Sequence, residues 1–194
     1  MPKNPTKIAG GKIRIIAGQL RNSRLIVPDS AGLRPTADRV RETLFNWLAP
    51  VIDGAHCLDL FAGTGALGIE ALSRGAEKVT FIEQDTHLAK MLEANLARLK
   101  ITDAQVYRLD ALAFLATSPV AFDVVFLDPP FKTELGEQIA QKLEEGVWLK
   151  PQAWIYLESP SDMAPAVPNA WIKYREGHAG KVRFCLYRRD LRIR

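Results

Sequence analysis

Asp128-Pro129-Pro130-Phe131 holds the most specific chemistry in the chain. Two consecutive prolines fix φ and remove two backbone donors, leaving the carbonyls of Asp128 and Pro129 free to accept. An exocyclic amine on a nucleobase is a poor nucleophile because its lone pair is delocalised into the ring. A carboxylate and a carbonyl that each accept one of its N–H groups orient that lone pair towards an electrophilic methyl group. Phe131 offers a ring on which an extruded base stacks. Pro-Pro alone reads as a rigid turn, which leaves the acid before it and the aromatic after it without a purpose.

A second constellation lies upstream, in Leu58-Asp59-Leu60-Phe61-Ala62-Gly63-Thr64-Gly65-Ala66-Leu67-Gly68. Gly63, Gly65 and Gly68 fit G-x-G-x-x-G, and Glu83 follows Gly63 by 20 positions, so a nicotinamide fingerprint is formally present. Glycine lets the backbone turn sharply and approach a ligand, and Glu83 can accept from both hydroxyls of a ribose. Asp59 separates the cofactors. An acid beside a pyrophosphate repels it, whereas a sulfonium cofactor carrying an ammonium group is attracted. The expectation is S-adenosylmethionine, held by Asp59, Phe61, Ala62, Gly63, Thr64, Gly65 and Glu83. A glycine pair at a strand-to-helix turn also serves as a plain tight connection. Asp110 either accepts from an adenine amino group or caps the following helix, and the two roles are compatible.

The elements that must position these groups are legible as alternating apolar runs and helical stretches. Runs at 56–61, 78–82, 105–109, 122–127 and 153–157 read as buried parallel strands, with helices at 66–74, 86–99, 111–117 and 135–145 between them. This order predicts an α/β, doubly wound, Rossmann-like sheet with ligands at the carboxyl ends of its strands. Before it come a small hairpin, from runs at 12–16 and 24–27, and a helix over 37–49 capped by Thr36 and stopped by Pro50. After it, runs at 171–175 and 181–187 flank the turn-rich 177–180 and predict an antiparallel hairpin at the sheet edge. A parallel sheet closed by a reversed strand resembles the class I S-adenosylmethionine-dependent methyltransferases. The division expected is a basic hairpin extension at 1–34 and a methyltransferase domain at 35–194, the latter able to fold after deletion of 1–28.

Composition closes other routes. The three histidines are scattered, so no metal site is expected, and Cys57 and Cys185 fall in apolar segments as buried thiols. The apolar runs are too short to span a bilayer and the N-terminus lacks a signal-peptide core, so a cytoplasmic protein is expected. Charge is segregated. Residues 1–50 carry 9 Lys/Arg against 3 Asp/Glu and residues 173–194 carry 8 against 2, while 51–172 carries 9 against 17. Basic ends around an acidic middle suit a polyanion-binding surface. Its candidates are Lys12, Arg14, Arg21, Arg24, Arg34, Arg39 and Arg41, with Lys181, Arg183, Arg188 and Arg189 at the other end. Arg39 and Arg41 read equally well as ordinary helix charges, and Trp47 reads as core.

LDLFAGTGALGIEALSRG, DPPF, LRPTADRVRETLFNWL and GKVRFCLYRR together resemble the bacterial RsmD family over residues 13–188. That family methylates the N2 of one guanine in 16S rRNA. The resemblance implies that Gly63, Gly65, Glu83 and Asp110 contact S-adenosylmethionine and that Asp128, Pro129, Pro130 and Phe131 hold the guanine. A monomer acting by direct in-line transfer is expected, and the resemblance suggests an assembled particle as substrate, 16S rRNA within the 30S subunit or an assembly intermediate. Related adenine and glutamine N-methyltransferases often carry Asn-Pro-Pro-Tyr where this chain has Asp and Phe. The competing readings are a DNA adenine-N6 methyltransferase, a nicotinamide oxidoreductase and a catalytically silent RNA-binding module.

Overall fold

A computed structural model describes residues 11–27, 38–130 and 133–192; Arg34, Thr36 and Phe131 lie outside the described residues. The elements run β1 (Gly11–Arg14), β2 (Arg24–Val27), α1 (Asp38–Leu48), β3 (His56–Asp59), α2 (Ala66–Ser73), β4 (Lys78–Ile82) and α3 (Thr86–Arg98). They continue β5 (Ala104–Tyr107), α4 (Ala111–Leu115), β6 (Phe122–Leu127), α5 (Thr133–Glu145), β7 (Leu149–Pro160), β8 (Trp171–Ala179) and β9 (Val182–Arg189). Seven strands form one sheet in the order β5-β4-β3-β6-β7-β9-β8. The first five are parallel, and β9 and β8 return antiparallel. This is the Rossmann-like class I methyltransferase architecture with its closing hairpin.

Both faces of the central strands β3, β4, β6 and the second half of β7 are buried, which is why they read as near-continuous apolar runs. Cys57, Val79, Phe81, Val124, Phe126 and Tyr156 pack with α1, α2 and α3 on one face. Leu58, Ile82, Val125, Leu127, Ile155 and Leu157 pack with α4 and α5 on the other. β7 is longer than its sequence reading because Pro151 falls where the β6 pairing is irregular, between Leu149 opposite Phe122 and Trp154 opposite Val124. A proline there forfeits no ladder hydrogen bond. At its far end Pro160 still pairs in register with Val182 of β9.

The β1–β2 hairpin is built into the core. Ile13, Ile15, Leu25 and Val27 are buried in the same cluster as α1, α2 and α3. Glu70 of α2, fully buried, accepts from the backbone N–H groups of Ile16 and Ala17 at 2.8 and 3.1 Å, and from Arg74 Nε at 2.7 Å. Asn95 of α3 accepts from Ile26 N and donates to Ile26 O, at 3.0 and 2.8 Å, taking the place of a neighbouring strand. Gly18 turns at φ +84°, and a Cβ there would lie 1.7 Å from the Ser73 carbonyl oxygen. The packing runs against the expectation that the chain folds without residues 1–28.

Candidate active site

Side chains alternate along a strand with period two. Asp59, Glu83, Asp128 and Glu158 are therefore in phase with Cys57, Phe81, Phe126 and Tyr156, on the α1–α3 face. They stand at the carboxyl ends of β3, β4, β6 and β7, four adjacent strands, in the spatial order Glu83, Asp59, Asp128, Glu158. Four carboxyls in one row make a site for a cationic ligand and for groups that donate hydrogen bonds.

The loop between β3 and α2 is pinned to this row. Glu83 accepts from Gly63 N at 2.7 Å through one oxygen and from Asp85 N at 2.7 Å through the other. Each oxygen keeps a second lone pair for a hydroxyl. Asp85 in turn caps α3, accepting from His87 N and Leu88 N. Asp59 accepts from Gly68 N at 3.1 Å. Burial pushes the Asp59 carboxyl up to about 7, Glu83's charge adds to the rise, and the Gly68 hydrogen bond opposes it. A cation bound beside Asp59 restores its charged form.

The glycines have distinct reasons. A Cβ on Gly63, at φ +52°, would meet nothing within 4 Å, so this backbone borders open space that a ligand can enter. A Cβ on Gly65, at φ +76°, would lie 2.3 Å from Leu92 Cδ1, and one on Gly68 2.2 Å from the Phe81 ring. These two are needed for packing on α3 and β4. Ala62 donates to the Ile82 carbonyl, and Phe61 and Thr64 are half-buried in the same loop. Asp110 is exposed and caps α4 through Ala113 N at 2.9 Å, which leaves its other oxygen for a ligand.

At the end of β6, Asp128 is half-buried, Pro129 is buried and Pro130 is exposed. Burial, then the charges of Glu158 and Asp59, then a hydrogen bond with Glu158 hold the Asp128 carboxyl well above the usual carboxylate range. On β7 the Tyr156 hydroxyl donates to Glu158 Oε1 at 2.6 Å.

The sequence matches the family model described as Conserved hypothetical protein 95 over residues 13–188. It is 51% identical over 189 residues to ribosomal RNA small subunit methyltransferase D of Escherichia coli K12, covering 97% of this chain and 96% of that one. The chain belongs to the small subunit methyltransferase D family. Its Haemophilus influenzae relative of the same name is 49% identical over 191 residues, covering 96% and 99%. The solved structure of yhhF from Escherichia coli superposes with a TM-score of 0.87 at 50% identity, covering 93% of this chain and 99% of that one.

In this member of the methyltransferase D family, the basic residues named from sequence divide into two groups. Lys12, Arg14, Arg21, Arg24 and Arg39 are exposed. Arg41 is not a surface charge: it is fully buried and donates to Arg14 O at 2.8 Å and Asp38 Oδ1 at 2.7 Å, so its reading as a phosphate contact is replaced by a structural one. At the other end Lys181 and Arg188 are exposed, Arg183 pairs with Glu176 at 2.8 Å, and Arg189 is held by both oxygens of Glu144 at 2.9 Å. Sequence reasoning missed Tyr156 and Glu158. A usable signal was present: Ile82-Glu83, Leu127-Asp128 and Leu157-Glu158 each end an apolar run in an acid, and Asp59 interrupts the run at 56–61.

Proposed function

We propose that this chain transfers the methyl group of S-adenosylmethionine to the exocyclic N2 amine of a guanine in 16S rRNA. The observation that carries the reading is the adjacency of β3 and β6, which sets the Gly63 loop and the Asp128-Pro129-Pro130 turn side by side above one row of acids. S-adenosylmethionine supplies an electrophilic methyl on a cationic sulfur, and the row of carboxyls suits that charge. Glu83 holds the ribose hydroxyls with its spare lone pairs, Gly63 lets the loop backbone approach, and Asp59 and Asp110 accept from the cofactor's amino groups. Phe61, Ala62, Thr64 and Gly65 shape the same loop.

Asp128 and the Pro129 carbonyl each accept one amine N–H, Pro130 keeps the turn rigid, and Phe131 stacks on the guanine. The exposed Lys12, Arg14, Arg21, Arg24 and Arg39, with Arg34, contact rRNA phosphates. In this reading the hairpin within 1–34 carries an rRNA-binding face while its apolar side completes the core of the methyltransferase domain at 35–194. The protein works as a cytoplasmic monomer on the 30S subunit or an assembly intermediate.

Calorimetry with S-adenosylmethionine and with NAD tests the cofactor: binding of the first is expected, and tight binding of NAD alone overturns the reading. Glu83→Ala is expected to weaken S-adenosylmethionine binding by about 1.5–3 kcal/mol, the worth of a hydrogen bond to a charged group. Titration calorimetry reads this directly. Turnover at saturating cofactor falls much less, because Glu83 does not touch the amine.

A further inference from the structure

We propose that Glu158 is a positioning residue of the amine site: anchored by the Tyr156 hydroxyl, it holds Asp128 through a carboxyl–carboxyl hydrogen bond and aims the oxygen that meets the guanine amine. The inference rests on the methyl-transfer reading above. Its geometry comes from the register of two neighbouring strands. Phe126 is opposite Tyr156 and Leu127 opposite Leu157, so the next residues, Asp128 and Glu158, meet at the sheet's carboxyl end. Tyr156 is fully buried in the core and Glu158 is 7% exposed, so the anchor has little freedom. Tyr156 Oη donates to Glu158 Oε1 at 2.6 Å, and the register brings Glu158 beside Asp128, whose carboxyl its charge helps to hold above the usual range.

A hydrogen bond between two carboxyl groups needs a proton on one of them. The pair at work therefore holds one proton, and Asp128 keeps lone pairs with which to accept the amine N–H. The surrounding charges favour this state. Asp59 and Glu83 stand in the same row on β3 and β4. On β9, Arg183 is paired with Glu176 and Cys185 is a buried thiol, while Asp38 and Arg41 of α1 pair with each other. A second negative charge on the pair is thus opposed by its acidic neighbours. During transfer the N–C bond to the methyl group forms as the S–C bond breaks, and that electron pair leaves with sulfur. The nitrogen's proton passes to Asp128. The pair then holds two protons and releases one to water as product leaves.

The test uses the full-length protein, small subunits lacking the methylation and S-adenosylmethionine, with kcat followed from pH 5 to 10. Wild type is expected to show a bell: kcat falls at low pH when both carboxyls are protonated, and at high pH when the pair loses its last proton. In Glu158→Gln the amide donates to Asp128 at every pH. That variant is expected to keep kcat within about tenfold of wild type and to lose the high-pH decline, with its acid limb close to that of wild type because Asp128 faces a neutral donor in both. Glu158→Ala is expected to lose 100-fold or more in kcat with S-adenosylmethionine affinity changed less than threefold. Tyr156→Phe, which removes only the anchor, is expected to lose about tenfold and serves if the alanine variant does not fold. A Glu158→Gln profile that superposes on wild type, or wild-type kcat in Glu158→Ala or Tyr156→Phe, overturns the proposal. Absence of N2-methylguanosine from the wild-type digest overturns the reading beneath it instead.

Discussion

Replacing Asp128 with alanine is expected to lower the turnover number by roughly 100- to 1,000-fold, the range typical of removing one preorganised polar group from a catalytic site. S-adenosylmethionine affinity should change less than about threefold. The division follows from position: Asp128 stands at the end of β6, while the loop-pinning hydrogen bonds from Gly63 and Gly68 go to Glu83 and Asp59 on other strands. Alanine leaves the prolines and the loop in place but removes the acceptor that fixes the amine's orientation. Single-turnover kinetics with saturating cofactor, beside calorimetry, separate the two effects. An equal loss of cofactor affinity would mean that Asp128 belongs to the cofactor site.

Deleting residues 1–28 is expected to abolish cooperative folding. Ile13, Ile15, Leu25 and Val27 are each 7% exposed or less, and truncating a single such Leu or Ile to alanine costs about 2–5 kcal/mol. Losing four of them approaches or exceeds the roughly 5–15 kcal/mol by which a domain of this size is stable. The deletion also leaves the buried Glu70 without the Ile16 and Ala17 N–H groups. Thermal unfolding by circular dichroism checks this, and a sharp transition near the wild-type temperature would contradict it. The hairpin's charges are therefore tested by substitution. Replacing the exposed Lys12, Arg14, Arg21 and Arg24 with glutamine should preserve folding and make the plot of log RNA affinity against log salt shallower by ~0.7–0.9 for each phosphate the hairpin no longer neutralises.

The parts of the fold that depend on local pattern were open to sequence reading. Buried strands such as Val124 to Leu127 are apolar on both faces, and acids immediately after them have no reason to be there unless a ligand or a cap needs them. Capping by Asp110 was readable for the same reason, since a short acid before Ala111 satisfies a free N–H. What escaped depends on long-range contacts. Helix periodicity puts Arg41 in phase with Leu44, Phe45 and Leu48 and Arg39 with the polar face, but the partner that makes burial of Arg41 possible, the Arg14 carbonyl, lies 27 residues away. The role of Asn95 at Ile26 joins positions 69 residues apart, and helix periodicity cannot reveal it. Glu158 was legible as the acid that follows the 153–157 run, but its place beside Asp128 and its contact with Tyr156 depend on the β6–β7 register.

The most direct test of the central claim is the identity of the methylated nucleoside. Small subunits lacking the modification are incubated with this protein and methyl-labelled S-adenosylmethionine, and the RNA is digested to nucleosides and separated. The account predicts label in N2-methylguanosine from 16S rRNA, abolished in Asp128→Ala. Label in N6-methyladenosine with none in N2-methylguanosine, or label transferred to duplex DNA in preference to the subunit, would contradict it.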